Sequence, residues 1–204
     1  LTLRAGRWYV TFACVDVPVK PLPVTGREVG VDLGLHHFAA TSDGTIFPNP
    51  RAAAVARIRL ERAARRMARR KKGGKRRRIA CVLMAKQQAH VANIRRENHI
   101  QVARKLVADY DTICVEELNV KGLARSALAK SVNDAAWGNF LHWLRVEAES
   151  AKREVVEVDP RGTSQSCSGC GVVGPHKGLD VRIHRCSDCG LVLDRDVNAA
   201  RNIK

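Results

Sequence analysis

At 204 residues, 45% of them hydrophobic, the chain is long enough for one substantial core and at most a small satellite. A formal net charge of +16 sets it apart from ordinary soluble enzymes and implies a polyanionic partner, either nucleic acid or an acidic membrane surface. Only 4% of the residues are aromatic, which argues against gripping a single strand through many stacked bases and favours contacts to backbone phosphates.

The chain opens at Leu1 rather than Met and enters a strand pattern almost at once, as expected of a fragment or a truncated frame. Residues 7–15, RWYVTFACV, alternate around β-branched and aromatic residues as a half-buried strand does. Pro18, Pro21 and Pro23 then break any ladder and mark a linker, the best domain boundary in the sequence. Residues 29–48, VGVDLGLHHFAATSDGTIFP, read as three strands separated by turns, with Asp43-Gly44 as a hairpin signal. Asp32 lies in an apolar run between Val29, Val31, Leu33 and Leu35, where a carboxylate is costly without a partner or a metal. It is a candidate functional residue, whereas His36 and His37 read as solvated or packing residues.

Residues 51–109 form a long helical stretch interrupted at Gly73-Gly74, which fits a helical hairpin with that pair at its tip. The first half has a thin apolar side, Ile58, Leu60, Ala64 and Met67, and a wide basic one. Arg62, Arg65, Arg66, Arg69, Arg70, Lys71, Lys72, Lys75, Arg76, Arg77 and Arg78 are the candidate nucleic-acid contacts. A basic run can be no more than a solvated face; here its density and the total charge favour phosphate binding that weakens steeply with salt. The second half, with Leu83, Ile94, Leu106 and Val107, is expected to pack more firmly.

Residues 111–118, DTICVEEL, read as a second buried strand ending in Glu116-Glu117. Acids at the carboxyl end of an apolar strand sit where α/β sheets place their chemistry, although surface solubility is the plain alternative. Residues 119–133 read as a mixed loop, after which Asn133 or Asp134 is expected to cap a helix. Trp137, Leu141 and Leu144, with Phe140 beside them, form a core stripe rather than a base-stacking site. Val155, Val156 and Val158 make a last strand that Asp159-Pro160 ends.

Cys167, Cys170, Cys186 and Cys189 follow as C-x2-C-x15-C-x2-C, the spacing of a tetrahedral zinc site. Gly171 and Gly190 behind the pairs supply the backbone freedom of tight knuckles. Two disulfides are the alternative. The odd total of seven cysteines, and the lack of a secretory signal or an apolar run of membrane-spanning length, favour a reducing compartment and a metal. A cytoplasmic, nucleoid-associated location with no membrane partner is expected. Zinc ribbons serve unrelated jobs, so the metal alone leaves function open.

Three carboxylates stand out by their setting at element ends: Asp32, Glu116, and Asp196 in the DRD that opens the final helix. Acids brought close repel one another unless a cation offsets them, and hard oxygen ligands select Mg2+ or Mn2+. Two such ions about 4 Å apart can activate water and stabilise a leaving oxygen of a phosphodiester, so a basic protein with this site is a nuclease candidate.

GREVGVDLGLHHFAATSDG, ICVEELNVKGLA and DPRGTSQSCSGCG with RCSDCGLVLDRDVNAARNI, in that order, resemble the acidic motifs and zinc ribbon of the TnpB family. These are transposon-associated proteins, labelled OrfB-type transposases and related to compact type V CRISPR nucleases. The resemblance runs from about residue 7 to 204. It implies an α/β fold, an RNase H-like (RuvC-type) mixed sheet with a basic helical hairpin insertion and an inserted four-Cys zinc ribbon. It implies RNA-guided cleavage of DNA, with DNA and guide RNA as partners, structural Zn2+ and catalytic Mg2+ or Mn2+. Matched motif by motif, the catalytic acids are Asp32, Glu116 and Asp196. The implied domains are a remnant of an upstream β-barrel (wedge) and linker over 1–26, a nuclease core over 27–160, the ribbon over 161–191 and a final nuclease helix over 192–204. Most of the family's upstream recognition region is absent from the sequence in hand, so the expectation is the carboxy-terminal nuclease half.

Two other classes stay open: a nucleic-acid-binding regulator that does not cleave, and a degenerate truncated product. Strand transfer by a tyrosine has no support, since Tyr9 and Tyr110 sit in structural contexts. An assisting arginine near the ribbon, Arg182 or Arg185, is left open.

Overall fold

Ala5 and Gly6 both take positive φ, 49° and 76°, and turn the chain back between β1 (Thr2–Arg4) and β2 (Arg7–Tyr9). The structure is a computed structural model that describes residues 1–175, 178 and 180–204. It divides into two compact units, Leu1–Pro18 with Pro50–Asn98, and Val19–Asn49 with His99–Lys204. The strand expected over residues 7–15 is confined to Arg7–Tyr9; residues 10–15 lie in no strand and are exposed. The alternating pattern there finds no partner backbone among the described residues, and without a ladder nothing holds it as a strand.

In the first unit, α1 (Ala52–Ala68) and the start of α2 (Lys75–Asp109) form the expected helical hairpin, with Gly73 at φ 80° in its tip. Ala52, Ala56 and Val91 pack with Ala53 and Leu60, small side chains that give only a modest apolar seam. Arg77 closes the tip: its guanidinium donates to the Met67 carbonyl at 2.8 Å and the Arg70 carbonyl at 3.2 Å. Both carbonyls lie at the end of α1, where the Met67 carbonyl also accepts from the Arg70 amide at 3.2 Å, so this cation adds to the cap.

The second unit is built on five strands in the order β5-β4-β3-β6-β7. They are β3 (Glu28–Leu33), β4 (His37–Thr41), β5 (Ile46–Pro48), β6 (Thr112–Glu116) and β7 (Glu154–Val158). The first three pair antiparallel through tight turns, and β3, β6 and β7 pair parallel. Gly44 at φ 96° makes the hairpin turn expected at Asp43-Gly44. One sheet face carries Val29, Val31, Leu33, Ile113 and Val115, which pack with Val102, Leu106 and Val107 of α2 in the main core. That core also takes Trp137, Phe140, Leu141, Leu144 and Ala148 from α5 (Trp137–Ala151), the stripe read from the sequence. Tyr110 is structural as expected: its hydroxyl donates to Asp43, and the Arg27 guanidinium lies 4.6 Å from its ring centroid.

The segment read as a loop over 119–133 contains two short helices, α3 (Val120–Leu123) and α4 (Ala129–Ala135). Asn133 and Asp134 lie inside α4 rather than at the N-cap of α5; burial of Val132 and Ala135 carries the helix through them. Ala136, at φ 52°, makes the break before α5 instead.

Arg153 anchors the proline-rich linker to this unit. Its side chain is 2% exposed and bonds Asp111 at 2.6 Å, the Val107 carbonyl at 3.0 Å and the Pro23 carbonyl at 2.6 Å. Asp111 in turn accepts from the amides of Thr25 and Gly26. No helix among the described residues is long and apolar enough to cross a membrane.

Candidate functional site

The parallel register of β3 and β6 runs from Glu28 opposite Thr112 to Val31 opposite Val115. The next residues, Asp32 and Glu116, therefore stand side by side at the carboxyl ends of the two strands. Side chains alternate along a strand, so with Val31 and Val115 in the core, Asp32 and Glu116 belong to the opposite face. That face is covered by α6 (Arg195–Ile203). A Cβ at Gly30 would stand 2.0 Å from the Ala200 carbonyl oxygen and 2.7 Å from the Lys204 nitrogen, and one at Gly34 would stand 3.7 Å from Asp196 Oδ2. The helix thus runs back along β3, with its first turn at the strand end that carries Asp32. Asp194 fixes that turn, its carboxylate accepting from the Asp196 amide at 2.8 Å and the Val197 amide at 3.3 Å.

Of the three acids expected from the sequence, Asp32 lies within the field of the other two. Burial, then the charges of Glu116 and Asp196, push the Asp32 carboxyl up to about 8, against the smaller pull of Arg195 and Arg182. Burial also raises Glu116, which the Thr163 hydroxyl partly counters by donating to Oε1. Asp196 is 8% exposed and takes the Arg182 guanidinium on Oδ2. Crowded carboxylate oxygens of this kind are hard donors that could hold a divalent cation, with Arg182 and Arg195 already supplying part of the neutralising charge. Of the two arginines left open by the sequence, Arg182 reaches Asp196, while Arg185 is exposed on β8 (Ile183–Arg185).

The four cysteines converge. Their sulfurs all lie within 4.8 Å of one another, with Cys167 Sγ to Cys189 Sγ and Cys170 Sγ to Cys186 Sγ both 3.6 Å. A disulfide requires about 2.05 Å, whereas thiolates about 2.3 Å from a tetrahedral zinc stand roughly 3.8 Å apart, so the donor set fits zinc. Gly171 and Gly190, at φ 77° and 72°, bond back to the Cys167 and Cys186 carbonyls at 2.8 and 3.1 Å and close each knuckle. Amides of Cys189 and Asp188 draw the Cys186 thiol down to about 7, toward the thiolate a metal needs. The paired strands β8 and β9 (Val192–Asp194) lead from the second half of this unit into α6. Residues 176, 177 and 179, within the expected ribbon, lie outside the described residues.

Sequence reasoning missed the amides that join the knuckle to α6. Asn198, fully buried, donates to the Ser166 carbonyl at 2.8 Å and accepts from the Ser168 amide at 2.9 Å. Asn202 donates to the carbonyls of Thr163 at 2.7 Å and Ser166 at 2.8 Å. Their one-turn spacing in DVNAARN was the available signal. Asparagine carries no periodic hydrophobic message, and only burial reveals its part.

In the hairpin unit, Arg62, Arg65, Arg66, Arg69 and Arg70 line a cleft of about 390 Å³. Arg62, Arg65 and Arg66 recur at three- and four-residue steps on α1, which puts them along one side of the helix, and Arg69 and Arg70 follow just past its end. A second cleft of about 380 Å³ at the tip is lined by Arg69, Arg70, Lys71, Gly74, Lys75, Arg76 and Arg77. Lys72 and Arg78 are exposed.

Residues 12–127 match the OrfB_IS605 family, described as a probable transposase, and residues 137–203 match the Cas12f1-like TNB domain. The chain is 36% identical over 202 residues to a Streptomyces pristinaespiralis protein named "Putative RNA-guided DNA endonuclease", covering 98% of this chain and 50% of that one. A protein of Escherichia coli K12 with the same description, InsQ, is 27% identical over 214 residues, covering 97% of this chain and 53% of its own length. The chain thus spans about half the length of these curated relatives. Among solved structures, a chain of the Cas12f1-sgRNA-target DNA complex superposes with a TM-score of 0.62 at 18% identity, over 90% of this chain and 51% of that one, a likeness of fold.

Proposed function

Because this chain belongs to the OrfB_IS605 family of probable transposases, the TnpB-type proteins, we propose that it is the nuclease half of an RNA-guided DNA endonuclease. Asp32, Glu116 and Asp196 are its metal-binding and catalytic acids. Bound Mg2+ or Mn2+ would supply charge neutralisation at the scissile phosphate and an activated water. Asp32 and Glu116 hold their oxygens at adjacent strand ends, and Asp196 is brought to them by the first turn of α6. The cysteine unit takes structural Zn2+ and, as a ribbon, contacts the nucleic acid. Guide RNA and target DNA are the partners, with the basic hairpin gripping phosphates by its arginine stripe.

The observation that supports this reading most is the convergence of Asp32 and Glu116 at adjacent strand ends under the first turn of α6, where burial first, and then the charges of Glu116 and Asp196, raise the Asp32 carboxyl to about 8. A surface ornament of acids would be solvated and would show no such crowding. The test is cleavage of DNA by the zinc-loaded chain, supplied with RNA that copurifies with it, in Mg2+ or Mn2+. Cleavage that disappears in Asp32→Asn, Glu116→Gln and Asp196→Asn supports the reading. Tight nucleic-acid binding with metal-independent behaviour, unchanged in all three variants, would make the chain a binding regulator.

A further inference from the structure

We propose that Thr163 is a positioning residue for the acid cluster: its hydroxyl selects the orientation of Glu116, and α6 keeps that hydroxyl in step with Asp196. The inference rests on the metal-nuclease reading and deepens it. Thr163 is 8% exposed and sits in the turn between β7 and the first knuckle. Its Oγ1 meets two acceptors, Glu116 Oε1 and the Pro160 carbonyl, the latter at 3.1 Å. A hydroxyl carries a single proton, so it donates to one of them at a time. An ionised carboxylate outcompetes a neutral carbonyl for that proton. One oxygen of Glu116 is therefore held by Thr163, and among the described residues the other is left for a cation.

The backbone of Thr163 is held as firmly as its side chain. Its carbonyl takes the Asn202 amide at 2.7 Å, and Asn202 also reaches the Ser166 carbonyl at 2.8 Å. Asn202 lies on α6, whose first turn carries Asp196. The hydroxyl that orients Glu116 and the helix that delivers Asp196 thus form one hydrogen-bonded assembly. Among the described residues, Thr163 provides the hydrogen-bonded link from the strand acid to the helix that bears the third acid.

The test is Mn2+ binding by the zinc-loaded chain, followed by calorimetry or by the electron paramagnetic resonance of the free ion. Thr163→Val keeps the branched shape and loses the hydroxyl; Thr163→Ser keeps the hydroxyl and loses a methyl. We expect Thr163→Val to weaken Mn2+ binding by about ten- to a hundredfold, the range for a missing hydrogen bond to a charged group, with Thr163→Ser near the parent. In the cleavage assay the same change reads as a higher metal requirement at unchanged substrate KM. Asp32→Asn serves as the reference. If Asp32→Asn lowers Mn2+ binding but Thr163→Val does not, this inference falls and the nuclease reading stands. Parental binding in Asp32→Asn itself would overturn the metal site and this inference together. Equal losses in Thr163→Val and Thr163→Ser, matched by equal drops in melting temperature, would make Thr163 a packing residue and overturn the proposal.

Discussion

Gly30 and Ala200 approach so closely that a Cβ on the glycine would stand 2.0 Å from the Ala200 carbonyl oxygen. Backbone, not a flexible side-chain tip, occupies that space, so neither partner can move aside cheaply. Gly30→Ala is expected to lift α6 from the sheet and to destabilise the chain by about 3 kcal/mol or more. Denaturant unfolding of the zinc-loaded variant measures this, and a variant of parental stability would contradict the close packing.

Asp32, Glu116 and Asp196 share one field, so their removal is expected to be non-additive. Each single amide variant should reduce cleavage by about a thousandfold or more, and the triple variant little further, because the acids act as a unit. Single-turnover cleavage at saturating metal checks both points. Independent, multiplying losses would mean the acids do separate jobs.

The pH response follows from the Asp32 carboxyl near 8. With its folded value above its unfolded value of 3.8, the metal-free fold holds a proton that the unfolded chain has released. This group's contribution to stability is therefore full below about pH 4 and drains away as pH rises toward 8. A cation competes with that proton. Affinity for Mg2+ should climb by up to about tenfold per pH unit and level off above about pH 8, with the slope absent in Asp32→Asn. Metal titrations across that range decide it; a flat profile in the parent would refute the buried, crowded carboxyl.

Zinc removal is expected to reach the acids through Asn198. Stripping the metal, or Cys186→Ser, frees the knuckle whose Ser166 and Ser168 backbone groups Asn198 holds, and loosens the α6 turn that presents Asp196. Activity should fall even in excess Mg2+. Asn198→Ala should reproduce part of that loss with zinc still bound, since it removes the acceptor of the Ser168 amide and leaves the Ser166 carbonyl to Asn202 alone. Zinc content measured beside cleavage separates the two variants.

On the hairpin, changing Arg62, Arg65, Arg66, Arg69 and Arg70 to Gln should flatten the salt dependence of duplex binding, its log–log slope falling by about 0.9 for each phosphate no longer neutralised. Arg77 is expected to behave differently. Its guanidinium caps the Met67 and Arg70 carbonyls, so Arg77→Ala should lower the melting temperature more than it changes the salt slope.

Local anomalies were what the sequence displayed most legibly. An acid inside VGVDLG is out of place for its neighbours, and paired cysteines at fixed spacing have few other uses, so both were readable without a fold. The parallel register that sets Asp32 beside Glu116 depends on strands far apart in the chain, and sequence order alone carries no such register. Residues 10–15 misled because a strand pattern states what a segment could pair, not whether a partner exists. Asn133 and Asp134 misled because a good capping residue yields when the helix has apolar residues to bury, here Val132 and Ala135. Thr163, Asn198 and Asn202 were invisible because small polar residues acquire meaning only from what surrounds them.

The Arg153 anchor has a practical bearing on where this unit can be cut. A piece beginning at Val19 retains the Pro23 carbonyl and the Thr25 and Gly26 amides, so the guanidinium and Asp111 keep their partners. One trimmed to begin at Arg27 strips those partners from a side chain that is only 2% exposed. The shorter piece should express poorly and succumb to protease where the longer one survives, although both contain every acid and every cysteine of the site.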